Sequence, residues 1–199
     1  MMSKVIDFYF DFMSPFAYLA HHHLLLRQAE FGYQLAYHPL DLSYVKVKAG
    51  NTGPSNRSIP AKIKYLMADL DRWAKRYGIP LTVPATHDSK LANIGVLVAT
   101  ERGVATEFAL AVWKRTWGAG GDFASIPLLR DVAHSLDWNA DEFEALLHSP
   151  ILEQRYQASS DRALEQGVFG VPTMIVDGLM WWGNDRLFML EEYLAKSKG

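Results

Sequence analysis

The chain lacks cysteine altogether over its 199 residues. That excludes disulfides and any redox cycle run on a dithiol of its own. It also lacks an excess of either charge, with 20 basic residues against 22 acidic ones and a formal charge of -2. No basic stripe is left to displace counterions from a phosphate backbone, so nucleic acid is not an expected partner. Long apolar runs are missing too. None approaches the ~18 residues that cross a bilayer, and Asp7 and Asp11 interrupt the first apolar segment, where the core of a secretory leader carries no charge. The expectation is a soluble cytoplasmic protein with no membrane partner.

What is present suffices for a core. Hydrophobic residues make up 49% of the chain, and the length suits one domain with an insertion or two small domains. Val5 to Phe12 is an almost continuous apolar run, as in a central strand covered on both faces. Ser14 suits an N-cap and Pro15 the first helical position of a helix through Ala29, which Phe31-Gly32 closes. Tyr33 to His38 alternates as a second strand, stopped by Pro39. A Gly, Pro, Ser and Asn-rich loop from Asn51 to Ser58 precedes an amphipathic helix from Ile59 to Tyr77. Helical segments follow near 89–102, 105–117, 125–136, 140–148 and 150–166, with Asn139 and Glu142 forming a capping-box signature. After Gly167 the pattern returns to strands. Val171 to Val176 and Leu179 to Trp182 flank the hairpin signal Asp177-Gly178, and Gly183 to Arg186 open a last helix from Leu187 to Lys196.

The order is β-α-β, a helical block, then β-β-α. Residues 1–50 and 167–199 are expected to form one α/β domain, with residues 51–166 as an all-helical insertion. The serine that follows the first strand then takes on a second meaning. Ser-Pro at a helix start is ordinarily a plain cap, but a helix N-terminus directly after such a strand is where thioredoxin-like proteins hold a reactive thiolate. A chain without cysteine can use that position only by taking its sulfur from a ligand, and glutathione is the expected source.

Ser14-Pro15-Phe16, Phe169-Gly170-Val171-Pro172-Thr173 and Trp182-Gly183-Asn184-Asp185-Arg186 carry a resemblance. Together with Gly50 to Arg57 and Arg72 to Pro80, they make the chain similar to the kappa-class glutathione transferases. It resembles more closely their bacterial relatives, the family of 2-hydroxychromene-2-carboxylate isomerases. The resemblance implies a thioredoxin-like domain (β-α-β … β-β-α) with a large all-helical insertion, a homodimer and bound glutathione. It implies reversible conversion of 2-hydroxychromene-2-carboxylate into trans-o-hydroxybenzylidenepyruvate, a step of naphthalene-type aromatic catabolism. It places Ser14 at the glutathione sulfur, the Val171 backbone on the cysteinyl part and Asn184-Asp185 on the γ-glutamyl end. Asn51, Pro172 and Gly183 complete the cofactor site, and the Val171-Pro172 bond is expected to be cis. The aromatic carboxylate substrate is placed near Lys46, Asn56 and Arg57.

The residue types suit that chemistry. Changing the geometry of a conjugated double bond requires it to become single for a moment, and a thiolate that adds and leaves accomplishes this without being consumed. A free thiol has a pKa of ~8.5 and is mostly protonated at neutral pH. A hydroxyl hydrogen bond to the anion contributes roughly 1.5–3 kcal/mol and a helix N-terminus roughly 0.3–1 kcal/mol. At about 1.36 kcal/mol per unit, the two lower the thiol pKa by more than about one unit and by as much as nearly three.

Other features have plainer readings. Asn184 and Asp185 also cap the last helix, and Lys46, Lys48 and Arg57 also read as solvated loop charges, although a carboxylate substrate needs at least one cation. His21-His22-His23 point in three directions along a helix and cannot converge on one ion, so no metal site is expected. The six tryptophans read as core or interface, with one or two available to line an apolar pocket. Two alternatives stay open at this stage. One is a kappa-like glutathione transferase or peroxidase acting on other electrophiles; the other is a non-catalytic thioredoxin-like protein that binds peptides along the Pro172 edge.

Overall fold

The computed structural model describes residues 4–196, the side chain of Arg57 excepted. In chain order the elements are β1 (Lys4–Phe10), α1 (Pro15–Phe31), β2 (Tyr33–Pro39), α2 (Leu42–Lys48) and a 3-10 turn (Asn56–Ser58). The helical segment continues with α3 (Pro60–Tyr77), α4 (Lys90–Glu101), α5 (Ala105–Arg115), α6 (Ile126–His134), α7 (Ala140–Leu147) and α8 (Pro150–Glu165). It ends with β3 (Thr173–Val176), β4 (Leu179–Trp182), a second 3-10 turn (Asn184–Arg186) and α9 (Leu187–Lys196).

The strands form one sheet in the order β2-β1-β3-β4. β1 runs parallel to β2 and antiparallel to β3, with Phe8 opposite Tyr37 and Tyr9 opposite Thr173. As a central strand β1 is covered on both faces, which accounts for its unbroken apolar run. Ile6, Phe8 and Phe10 point one way, into a buried cluster that takes in Trp113, Phe108 and Val112 of α5 and Ile94 and Val98 of α4. Tyr9 points the other way, against Leu42 and Val45 of α2, Ala163 of α8 and Ile175 of β3. The sheet thus meets the helical segment directly. Trp113 lies 4.8 Å from the Phe12 ring and 5.3 Å from the Phe10 ring, centroid to centroid.

β1 ends at Phe10, two residues short of the apolar run. Phe12 leaves the sheet because its backbone is bonded elsewhere: its N–H donates to Asn93 Oδ1 at 3.2 Å and its carbonyl accepts from Trp117 Nε1 at 2.8 Å. α1 ends where glycine permits it. Gly32 sits in the left-handed region at φ 67°, and its N–H donates to the Gln28 carbonyl.

One helix has no counterpart in the sequence pattern. α2 is short and rich in β-branched residues, and Asp41 caps it by accepting from Tyr44 N–H at 2.9 Å. Lys46, expected on a loop, therefore stands on a helix.

Candidate active site

Ser14 caps α1, with its Oγ accepting from Ala17 N–H at 3.3 Å. Accepting leaves its hydroxyl hydrogen to be donated elsewhere. The side chain is nearly buried, so such a hydrogen bond would form out of bulk water, where it is worth more. The loop that presents it is a nested turn: Met13 N–H donates to Asp11 Oδ1 at 3.1 Å and Ser14 N–H to the Asp11 carbonyl at 2.9 Å.

Asp11 is buried beneath that loop. Its Oδ1 also accepts from Ser89 Oγ and, at 2.9 Å, from Asn93 Nδ2, and its Oδ2 accepts from Leu42 N–H at 3.0 Å. Burial pushes the Asp11 carboxyl pKa up, while hydrogen bonds from Ser89, Asn93, Leu42 and Met13 hold it down. Asn93 Nδ2 donates further to Tyr156 OH at 3.0 Å.

The chain turns past this loop a second time at Val171-Pro172, whose peptide bond is cis. Because Thr173 stands opposite Tyr9, the entrance to β3 lies at the same end of the sheet as the exit from β1. Met13 and Val171 pack against one apolar cluster there. Gly183 joins the group when its N–H donates to the Pro172 carbonyl at 2.9 Å. At φ 100° the residue must be glycine, since a Cβ would also come within 2.5 Å of Asp185 Oδ1. Asn184 follows, 3% exposed. Its Oδ1 accepts from Tyr77 OH at 3.1 Å, and its Nδ2 is buried with no partner among the described residues. An orphaned amide donor in such a place is costly unless a ligand accepts from it. Asp185 pairs with Arg186 at 2.6 Å, both half-exposed.

The three parts of the expected cofactor site thus meet at one sheet end: the cap of α1, the cis-proline turn and the 183–185 turn. The expected substrate residues are more dispersed. Lys46 is half-buried on α2, its neighbour Asn51 donating its N–H to the Lys46 carbonyl at 2.9 Å. Asn56 is exposed, its Oδ1 accepts from Lys62 Nζ at 3.1 Å, and it lines an open cleft of about 370 Å³ with Ala61, Lys62, Tyr65 and Leu66. None of Ser14, Val171 or Asn184 lines that cleft. The Arg57 side chain falls outside the described residues.

The model of the DSBA-like thioredoxin domain matches residues 5–195. A 2-hydroxychromene-2-carboxylate isomerase of Pseudomonas putida is 43% identical over 194 residues, which cover 96% of this chain and 95% of that protein. The chain belongs to the 2-hydroxychromene-2-carboxylate isomerase family. A solved structure of 2-hydroxychromene-2-carboxylate isomerase superposes on this family member with a TM-score of 0.93 at 42% identity, over 96% of this chain and 95% of the other. Glutathione S-transferase kappa 2 of Caenorhabditis elegans is more distant, 26% identical over 97% of this chain and 92% of its own. The architecture is the thioredoxin fold with a helical insertion.

In this isomerase-family chain the residues that pattern reading missed are Asp11, Ser89, Asn93, Tyr156 and Trp117, all of which hold the Ser14 loop without facing solvent. A signal was there. Asn93 interrupts an otherwise apolar helix and Asp11 follows an apolar strand, and a polar residue in such a place has to find partners inside. Of the three histidines, His21 Nε2 lies 2.7 Å from Tyr37 OH, whereas the rings of His22 and His23 both neighbour that of Tyr77, at 6.2 and 5.1 Å, with His23 Nε2 2.7 Å from Glu191 Oε1.

Proposed function

We propose that this chain is a 2-hydroxychromene-2-carboxylate isomerase that uses glutathione as its thiol cofactor. The observation that carries this reading is Ser14: a nearly buried hydroxyl at a helix N-terminus, free to donate, in a chain with no sulfur nucleophile of its own. The residues around it suit glutathione. The buried Asn184 Nδ2 is a donor waiting for an acceptor, which a γ-glutamyl carboxylate provides, and the Val171 backbone lies beside the cis proline as a partner for the cysteinyl amide. When bound, glutathione supplies a nucleophilic sulfur that leaves the reaction unchanged.

The protein's own groups then have distinct tasks. Ser14 donates its hydroxyl hydrogen and, with the N–H groups that open α1, favours the anionic form of whatever sulfur sits there. Lys46, which has no acidic partner among the described residues, offers a cation to the substrate carboxylate. Asn56 and Arg57 complete the polar side of the substrate site in this reading, and Asn51 belongs with the cofactor residues. The substrate is an aromatic carboxylate of the naphthalene-type catabolic series. A homodimer and a cytoplasmic location belong to the same proposal and rest on the resemblance.

The test is turnover of 2-hydroxychromene-2-carboxylate by extensively dialysed protein, with and without added glutathione. The rate should depend on glutathione while its concentration stays constant. Equal rates would reject the cofactor. Stoichiometric consumption would make the protein a transferase, the activity named in its kappa-class relative.

A further inference from the structure

We propose that Asp11 is a positioning residue for the isomerase reaction, its carboxylate holding the helix that carries Lys46 in register with the loop that carries Ser14. The proposal rests on the roles given above to Ser14 and Lys46, and concerns what keeps those two groups together.

The carboxylate is 2% exposed, and the donors that reach it are neutral. Its two oxygens divide the work. Oδ1 serves the loop through Met13 N–H and the start of α4 through Ser89 and Asn93, whereas Oδ2 serves α2 through Leu42 N–H. Leu42 is the first residue of α2, so the bond takes up one of the N–H groups that a helix start leaves without an internal partner. Lys46 stands four residues on, one turn along the same face. Asn51 hangs from the far end of that helix by its bond to the Lys46 carbonyl. A shift at Leu42 therefore carries both residues with it.

The other half of the clamp fixes the loop. Asn93 donates to Asp11 and accepts from Phe12 N–H, and Trp117 donates to the Phe12 carbonyl, so the backbone leading to Ser14 is held at successive groups. An apolar side chain could fill the space of Asp11 without the cost of burying a carboxylate. It could not accept from Met13 and Leu42 at the same time.

A double-mutant cycle tests this on the full chain: wild type, Asp11→Asn, Lys46→Ala and the double variant. Each is assayed for turnover of 2-hydroxychromene-2-carboxylate and for glutathione binding by calorimetry, with rates normalised to the number of binding sites so that unfolded molecules drop out. Asparagine keeps the shape of aspartate but turns an NH₂ towards one of the donors, releasing one of the two segments. The kcat/KM per site should fall about 30-fold or more, as for a reacting group displaced by a fraction of an ångström. Lys46→Ala should then have a much smaller effect in the Asp11→Asn background than in wild type. Effects that multiply independently, or an unchanged kcat/KM per site in Asp11→Asn, would overturn the proposal. Should Asp11→Asn not fold, Ser89→Ala replaces it in the cycle by removing one donor to Oδ1, and independence from Lys46→Ala overturns the proposal in the same way. Wild-type turnover that needs no glutathione would instead reject the function given to Ser14, before any variant is compared.

Discussion

The hydroxyl of Tyr77 donates to Asn184 Oδ1 across 3.1 Å, joining α3 to the turn before α9 and setting the amide so that its NH₂ is left without a partner among the described residues. Burial pushes the Tyr77 hydroxyl up to about 12, so it remains a donor throughout the neutral range. Tyr77 is itself held between the rings of Trp73, at 5.5 Å, and His23, at 5.1 Å.

This relationship predicts opposite outcomes for binding and stability. In Asn184→Ala, glutathione binding should weaken by about tenfold or more, the range of a hydrogen bond to a charged group. Thermal stability should change little, because the lost bond from Tyr77 is offset by removal of the orphaned donor with the side chain. Tyr77→Phe should lose about 1 kcal/mol of stability and bind glutathione more weakly, since the amide is no longer held. Calorimetry and thermal melts check both. Tight binding by Asn184→Ala would remove this residue from the cofactor site.

For Ser14→Ala the expected fall in turnover is about 10- to 150-fold, corresponding to the roughly 1.5–3 kcal/mol of a hydrogen bond to an anion. Loss of the cap to Ala17 should cost about 1 kcal/mol of stability, and the protein should remain folded. Ultraviolet absorbance of the thiolate in the glutathione complex should drop in parallel with the rate. An undiminished thiolate signal with a reduced rate would mean that Ser14 serves the reaction by some other route than ionising the sulfur.

Lys46→Met separates substrate from cofactor. Removing the cation should lower kcat/KM for the carboxylate substrate by about tenfold or more, mostly through KM, while leaving the glutathione Kd as it is. No ion pair among the described residues is broken, so the melting temperature should hold. An unaltered KM would move the carboxylate site away from Lys46, with Lys48 or Arg57 as the next residues to substitute.

Much of this arrangement could be seen in the residues, and the parts that could not share a cause. The strand and helix periods, the Ser14-Pro15 start, the Asp177-Gly178 hairpin and the last helix are local signals, readable because each is written in a few neighbouring positions. The helix at 42–48 is not local: Leu42 and Val45 pack under Tyr9, and the first N–H of that helix finds its acceptor in Asp11, 31 positions earlier. The clamp on Phe12 is built from Asn93 and Trp117, 81 and 105 positions away, which no window of sequence contains. Asn56 shows the reverse case. It sits where the resemblance expects a substrate ligand, yet its amide oxygen is engaged by Lys62 on an exposed face.

Acid stability gives the last prediction. His21 is fully buried on α1, its Nε2 2.7 Å from Tyr37 OH, which in turn donates to Thr106 Oγ1 at 3.0 Å. Because Tyr37 donates onward, it accepts from His21, and the imidazole is held neutral in one tautomer. Burial, reinforced by the neighbouring His22, pushes its pKa down from 6.5 to about 3. In the unfolded chain the ring takes up a proton below 6.5, whereas in the folded chain it does not until about 3. Stability from this group is therefore intact above pH 6.5 and is lost as pH falls from there towards 3. At about 1.36 kcal/mol per unit, lowering the pH from 6.5 to 5 should remove about 2 kcal/mol through this residue alone. Urea unfolding of wild type and His21→Gln at pH 7 and pH 5 measures it. The variant should be less stable at pH 7, where the packing against Trp113 is disturbed, but should lose less on acidification. Equal losses in the two proteins would mean that His21 takes up its proton in the folded state as readily as in the unfolded one, and that the buried tautomer is not what sets the acid limit.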